Sequence, residues 1–219
     1  MIHVFDLDHT LIKGNVSFLF GKELNKKGSL PTGRLLSMIF AYGLHKAGLL
    51  SMKSLHFACF KTFFKGYTPE LMVIDPFLET LILNPSVFAR FEKAKELGEN
   101  TYLLSASPDF LVKPLAKKMG FYECGATLYE VDKDHRICDI ATIMDGAAKL
   151  DYLKSLSIPL DKIVYYTDHI IDLVVCEAVG KVTVVNPKSD LRKKAIESRW
   201  EILDESAISG DCQFTKCKT

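Results

Sequence analysis

The sequence lacks an excess of charge of either sign. Its 28 lysines and arginines stand against 27 aspartates and glutamates, a net charge of +1. That balance makes no case for nucleic acid or an acidic surface as partner. A secretory leader is also missing from the pattern. The opening MIHVFDLDHT places an acidic pair where a signal peptide carries positive charge and then an apolar stretch. No run is long enough to cross a membrane, which takes ~20 apolar residues. The most apolar stretch, Leu35 to Leu50, is interrupted by His45 and Lys46. Contact between that stretch and a membrane surface stays open as an alternative. There is no internal repeat and no low-complexity segment. The six cysteines, Cys59, Cys124, Cys138, Cys176, Cys212 and Cys217, follow no framework spacing. The expectation is reduced thiols in a cytoplasmic protein. Cys212 and Cys217 are near enough to pair or share a metal, but no histidine follows His169, which disfavours a zinc site.

What is present is a chain of 219 residues, 48% hydrophobic and 25% charged, the balance of a soluble globular protein. The length suffices for one sizeable core, or for one core with a smaller appended domain. Short apolar runs alternate with helical patterns, which predicts a parallel sheet covered by helices on both faces. The runs are Ile2 to Phe5, Thr101 to Leu104, Ile163 to Tyr166 and Val182 to Val185. Helical spacing is visible over Phe88 to Leu97 and over Pro108 to Met119, the latter opened by a serine and a proline. The segment from Asn15 to Asn84 breaks the alternation. It holds no convincing strand and reads as apolar helices, among them Val16–Leu24, Arg34–Ala47 and Met52–Phe64. The predicted division is therefore a core of residues 1–14 and 85–219, and a helical cap of residues 15–84. The tail from Glu205 is polar and expected to be loosely held. Nothing in the sequence sets an oligomeric state.

Three of the four strand runs end in residues suited to chemistry. Ligands of open parallel sheets bind beyond the carboxyl ends of the strands. Asp6, Asp8, Ser105 and Asp168 are therefore expected to converge, although far apart in sequence. In Asp6-Leu7-Asp8-His9-Thr10, one carboxylate is able to attack phosphorus while the other protonates the leaving oxygen. A carboxylate approaching a phosphate dianion needs a cation, and magnesium, with its preference for oxygen ligands, suits that role. Taken alone, the same residues also read as a solvated turn. Ser105 at a strand end before a helix suits a phosphate, whereas Ser107 reads as a helix cap. Lys149 sits near a helix start, where a lysine is normally solvated. Asp168 directly follows a strand and is placed to complete a metal site. Asp172, one turn later, is placed to brace it. Read singly, Asp168 is equally a helix cap.

Taken together and in this order, the four elements resemble the haloacid dehalogenase-like hydrolase superfamily, in its phosphoserine-phosphatase-like branch. The resemblance runs over nearly the whole chain, including Val184-Val185-Asn186-Pro187 and Arg199-Trp200-Glu201-Ile202-Leu203 near the C-terminal end. It implies a Rossmann-like α/β core with a helical cap inserted after the first motif. It implies Asp6 as nucleophile, Asp8 as general acid and base, and Mg2+ held by Asp6, the Asp8 carbonyl and Asp168. It further implies that Ser105, Ala106 and Lys149 hold the phosphoryl group of a small phosphomonoester. The presence of Asp8 argues against dehalogenation. Two positions depart from the pattern. Asn15 stands where phosphoserine phosphatases carry a glutamate for the substrate ammonium, and Ile171 stands where they carry an asparagine. Both weigh against phosphoserine as substrate. Phosphotransfer through the same intermediate, and a non-catalytic phosphate-binding protein on the same fold, are the alternatives. His9 and His169 flank the acidic residues and are expected to fill variable positions. The aromatic residues of the cap are expected to form its own core, a remainder favouring a less polar, lipid-like phosphate.

Overall fold

The computed structural model describes residues 1–204 and 212–213. The Cys217 thiol and the tail between Glu205 and Asp211 lie outside the described residues. Strand β1 (Ile2–Phe5) opens the chain. Helices α1 (Val16–Lys26), α2 (Thr32–Lys46), α3 (Met52–Cys59) and α4 (Leu71–Glu79) follow, with a π-helical turn at Phe60–Phe64. Then come β2 (Ile82–Leu83), α5 (Pro85–Glu96), β3 (Asn100–Pro108), α6 (Asp109–Met119), β4 (Glu123–Val131) and β5 (Ile137–Thr142). The remainder is α7 (Gly146–Ser155), β6 (Ile163–Thr167), α8 (Leu173–Cys176), β7 (Lys181–Val185), α9 (Ser189–Glu197), β8 (Glu201–Leu203) and β9 (Cys212–Gln213).

Seven strands form one sheet in the order β5-β4-β3-β1-β6-β7-β8, and β9 pairs with β2 in a separate two-stranded ribbon. All neighbours in the large sheet are parallel except β5, which runs antiparallel to β4. The chain leaves β1 in one direction towards β3 and β4, and in the other towards β6, β7 and β8. The carboxyl end of β1 is therefore the switch point of the sheet, where the predicted site residues belong.

Both faces of the central strands are covered, and successive residues point into different cores. Val4, Tyr102, Leu104 and Tyr165 pack into one core. Phe5, Leu103 and Tyr166 pack into the other. Phe5 stacks on Tyr166 at 4.4 Å between ring centroids and meets Phe91 of α5 edge-on at 5.8 Å.

The predicted strands and helices are all present, with ends shifted by a few residues. The sequence reading missed the β4–β5 hairpin, β8, the β2–β9 ribbon and α4. The hairpin is absent from it because β5 is mostly exposed and its apolar residues do not alternate with polar ones, so its strand periodicity is weak. Helix α4 was hidden by Pro76, which reads as a breaker. The proline removes the helical donor to the Met72 carbonyl. Met72 itself is 88% exposed. Cys59, Cys124, Cys138 and Cys176 are free thiols, as expected.

Two glycines make the packing testable. A Cβ on Gly180 would lie 1.9 Å from the Asp161 carbonyl oxygen, whereas one on Gly33 would meet nothing within 4 Å. Gly180→Ala is expected to lower the unfolding free energy by about 1–3 kcal/mol, the range for overpacking. Gly33→Ala, in an exposed first turn, is expected to leave it unchanged or raise it by less than ~1 kcal/mol. Urea denaturation of the two variants checks this; equal midpoints would contradict the packing.

Candidate active site

The loop after β1 is held by its own backbone. Asp6 extends the ladder by donating its N–H to the Tyr166 carbonyl at 2.9 Å. Leu11 and Ile12 both donate back to the Leu7 carbonyl at 3.0 Å. His9 takes a left-handed conformation, φ 58°, that lets the chain double over. The buried side chain of Asn84, from the far end of the helical insert, donates to the His9 and Thr10 carbonyls at 3.1 and 2.5 Å. Sequence reasoning gave Asn84 no role. Its one signal is that it precedes Pro85, the first residue of α5.

Asp6 and Asp8, two residues apart, meet different partners. Asp6 Oδ1 accepts from Lys149 Nζ at 2.7 Å, and its Oδ2 accepts from Thr10 Oγ1 at 3.2 Å. Among the described residues the hydrogen-bond donors to Asp8 are all neutral. Its Oδ1 accepts from the Val16 N–H at 2.7 Å, the first turn of α1. Its Oδ2 accepts from Asn15 Nδ2 at 3.0 Å and from Ser107 Oγ at 2.6 Å. Burial pushes the Asp8 carboxyl up, and these donors pull it partly back. Asn15 also caps α1, its Oδ1 accepting from the Phe18 N–H at 2.9 Å.

The expectation for Ser107 was incorrect. It is not the cap of α6, because β3 continues through Pro108 and Pro108 itself precedes the helix. The Ser107 hydroxyl instead joins Asp8, and Ser17 of α1 lies 3.2 Å from it. Ser105 lies fully buried beside it, and its Oγ accepts from the Ser107 N–H at 3.1 Å. The Ala106 carbonyl accepts from Thr127 Oγ1 at 2.7 Å, which holds the irregular stretch of β3 between Ser105 and Pro108.

Lys149 is not the solvated lysine that its place near a helix start suggests. Only 2% of it is exposed. The side chain of Asp145 caps α7 by accepting from the Ala148 N–H at 3.1 Å, and Lys149 follows in the first turn. Its Nζ bridges Asp6 Oδ1 at 2.7 Å and Asp172 Oδ2 at 2.8 Å. Burial opposes the charge, but Asp172 and Asp6 outweigh it and hold the ammonium well above the usual lysine value. Asp172 Oδ2 also accepts from Tyr165 and Thr167, each at 2.8 Å. These two donors lie at alternate positions of β6, a period-2 signal that the sequence carried unread. Close packing seats α7 here: a Cβ on Gly146 would lie 2.0 Å from the Ile171 carbonyl oxygen.

Asp168 reaches the same cluster through Thr10 Oγ1, which lies 3.4 Å from Asp168 Oδ1. Burial, then repulsion from Asp6 and Asp172, raises the Asp168 carboxyl to about 8. Burial and Asp172 raise Asp6 to about 7 against the pull of Lys149. Two buried carboxyls, Asp6 and Asp172, thus share one ammonium, and the half-buried Asp8 and Asp168 stand beside them. Asp172 Oδ1 is buried and meets no donor among the described residues. This is a site short of positive charge. Among the described residues no three His, Cys, Asp or Glu side chains stand close enough to hold a metal by themselves. Two carboxylates, from Asp6 and Asp168, turn oxygens to one hydroxyl. With a backbone carbonyl and water they make an all-oxygen donor set, which fits a hard divalent cation.

Of the two departures from the pattern, Asn15 bonds to Asp8 and Ile171 lies at the rim. Ile171 is 37% exposed and packs against α7 through its backbone. His169 Nδ1 accepts from the Ile171 N–H at 3.2 Å and so caps a short 3-10 turn. Burial lowers its basicity.

The Lys149 bridge predicts a large effect. Lys149→Met leaves Asp6 and Asp172 buried without their cation and is expected to destabilise the protein by about 3–5 kcal/mol. Thermal unfolding against wild type checks this. A variant within 1 kcal/mol of wild type would mean that the bridge is not the main counter-charge.

With this geometry in hand, likeness to known proteins is informative. A probable phosphatase of Mycobacterium tuberculosis is 33% identical over 138 residues, 58% of this chain and 48% of that protein. The chain thus spans about half the length of that relative. A second protein of the same organism, named a phosphoserine phosphatase, is 24% identical over 215 residues, covering 91% of this chain and 69% of the other. A crystal structure of a protein of unknown function from Bordetella pertussis superposes with a TM-score of 0.76 at 21% identity, covering 93% of this chain and 98% of that one. The family model for haloacid dehalogenase-like hydrolases matches residues 3–176, from β1 through the end of α8. The chain belongs to the haloacid dehalogenase-like hydrolase family.

Proposed function

We infer that this protein is a magnesium-dependent phosphatase that hydrolyses a small phosphomonoester through a phosphoryl group carried on Asp6. The observation that carries the reading is the unlike treatment of two neighbouring carboxyls. Asp6 is held against an ammonium, whereas Asp8 is held by an amide, a hydroxyl and a backbone N–H. Placing titratable groups in different surroundings is how one site runs acid and nucleophile chemistry together.

Asp6 attacks phosphorus with one carboxylate oxygen, forming an O–P bond as the ester O–P bond breaks. Asp8, whose carboxyl burial keeps protonated to higher pH, gives its proton to the departing alkoxide. It then takes a proton from the water that hydrolyses the acyl phosphate. Lys149 sets the Asp6 carboxylate and offsets charge on the phosphoryl oxygens. The Ser105 hydroxyl and the backbone at Ala106 bind those oxygens. Asp6, the Asp8 carbonyl and Asp168 would hold Mg2+, with Asp172 bracing them. The ion supplies charge neutralisation that lets carboxylate and phosphate approach.

Residues 15–84 act as the cap and residues 1–14 and 85–219 as the core in this reading. Support comes from the attachment: α1 supplies the Val16 N–H to Asp8, so motion of the insert is coupled to the acid. Asn15 is uncharged and offers nothing to a substrate ammonium, which favours a phosphomonoester without one.

Phosphate release from a panel of phosphomonoesters tests the reading. Release is expected to require Mg2+ and to fall at least about a thousandfold in Asp6→Asn. Asp8→Asn is expected to lose roughly a hundredfold to ten-thousandfold, the scale of general acid catalysis. No release from any ester by the wild type with Mg2+ would sink it.

The raised carboxyls add a pH test. An acid whose folded pKa lies above its unfolded value opposes folding as it ionises. In chelator, Asp6 and Asp168 are therefore expected to reduce stability as pH rises from about 4, the unfolded value, to their folded values of about 7 and 8. Magnesium needs the ionised forms. Its increase in Tm is thus expected to grow between pH 5 and 8, read by calorimetry with and without Mg2+. A pH-independent increase would place the ion elsewhere.

A further inference from the structure

The near-neutral total conceals a strong asymmetry. Residues 24–69 contain no aspartate or glutamate at all, but seven cations: Lys26, Lys27, Arg34, Lys46, Lys53, Lys61 and Lys65. The rest of the chain is left with 21 cations against 27 acids. Arg34, Lys53, Lys61 and Lys65 are exposed, and Lys27 meets Glu23 only at 3.5 Å.

Helix α2, inside this segment, has one face turned inward at Leu35, Met38 and His45. Its opposite face carries Leu36, Ile39, Phe40, Gly43 and Ala47, the spacing of a single helical stripe, and all five are exposed. Leu36 is 60% and Phe40 68% exposed, and Leu49 just beyond the helix is 74% exposed. A Cβ on Gly43 would meet nothing within 4 Å, so the stripe is bare. Large exposed apolar residues elsewhere, such as Leu97, Tyr122 and Ile196, lie on separate elements and form no stripe.

We propose that the outer face of α2, with the acid-free segment around it, docks this protein on an anionic lipid bilayer. The chemistry of both parts fits that occupant. An apolar helical face enters the boundary between headgroups and acyl chains, and surrounding cations are drawn to acidic headgroups. Lysine and arginine stems cover apolar surface while their charges reach the headgroups. Among the described residues no helix is long and apolar enough to cross a membrane, so the contact is one of surface. A second copy of the chain fits poorly, because a twofold interface would set seven cations against seven. Nucleic acid would satisfy the cations but leave Leu36, Ile39 and Phe40 without a purpose. The inference does not rest on the catalytic reading, since none of these residues touches the aspartate cluster.

Co-sedimentation of the full chain with vesicles tests it, using phosphatidylcholine alone and with about one-third phosphatidylserine. Binding is expected only to the anionic vesicles and is expected to weaken with salt. Lys53→Gln and Lys61→Gln are each expected to weaken it about fivefold, the effect of one basic residue near such a surface. Leu36→Gln with Phe40→Gln is expected to abolish it at low salt while leaving Tm unchanged, since both side chains are exposed. Asp6→Asn is expected to bind as wild type does, whatever its activity. Three outcomes would overturn the proposal. One is absence of binding to anionic vesicles. Another is RNA binding that equals vesicle binding and ignores Phe40→Gln. The third is a dimer, dissociated by Phe40→Gln, without vesicle binding.

Discussion

The ammonium of Lys149 between Asp6 and Asp172 is the contact around which the site is arranged. Carboxylates brought out of water repel one another and lose hydration, and only an opposite charge at hydrogen-bond distance makes their company tolerable. Three segments must be in place for the bridge to form. The end of β1 brings Asp6, the first turn of α7 brings Lys149, and the turn after β6 brings Asp172. Gly146 permits that meeting, because any larger residue would strike the Ile171 carbonyl oxygen. Tyr165 and Thr167 then hold Asp172 from the strand beneath. The bridge is incomplete as a charge balance, and the excess of carboxyls over ammonium is what makes a divalent cation chemically appropriate there.

Asp8 stands apart from this bridge and links the core to the helical insert. The Val16 N–H and the Asn15 amide bring the start of α1 to it, and Ser107 brings the stretch after Ser105. A helix N-terminus favours a negative charge, while burial disfavours one, so Asp8 sits between opposing influences. Asn84 closes the other end of the insert onto the same loop. Both junctions of the insert therefore meet within a few residues of Asp6.

The insert itself is built for two environments. Its inward side joins the main core, with Phe20 on Phe77 at 4.9 Å and Phe64 on Phe110 at 5.2 Å. Its outward side leaves Leu36, Ile39 and Phe40 in water. Solvated single apolar residues are ordinary, whereas a stripe of them within an acid-free segment is unusual for a surface left in water.

Local pattern by itself determined the strand runs, the helical character of residues 15–84, and the strand-end positions of Asp6 and Asp168, whereas β3 runs on past Ser105 to Pro108. These follow from periodicities of 2 and 3.6 and from neighbours a few residues away, which a sequence displays directly. The order of motifs added Lys149 and Asp172 as candidates. Only the tertiary structure decided what each one touches. Lys149 is 143 residues from Asp6, and Ser107 is 99 from Asp8. Those meetings depend on strand order in the sheet and on where α7 and β3 end. Ser107 shows the limit most plainly. A serine before a proline has the local features of a helix cap, yet β3 runs past it and turns its hydroxyl to Asp8. Partners so distant in the chain leave no local trace, because the free energy that selects them belongs to the packed whole.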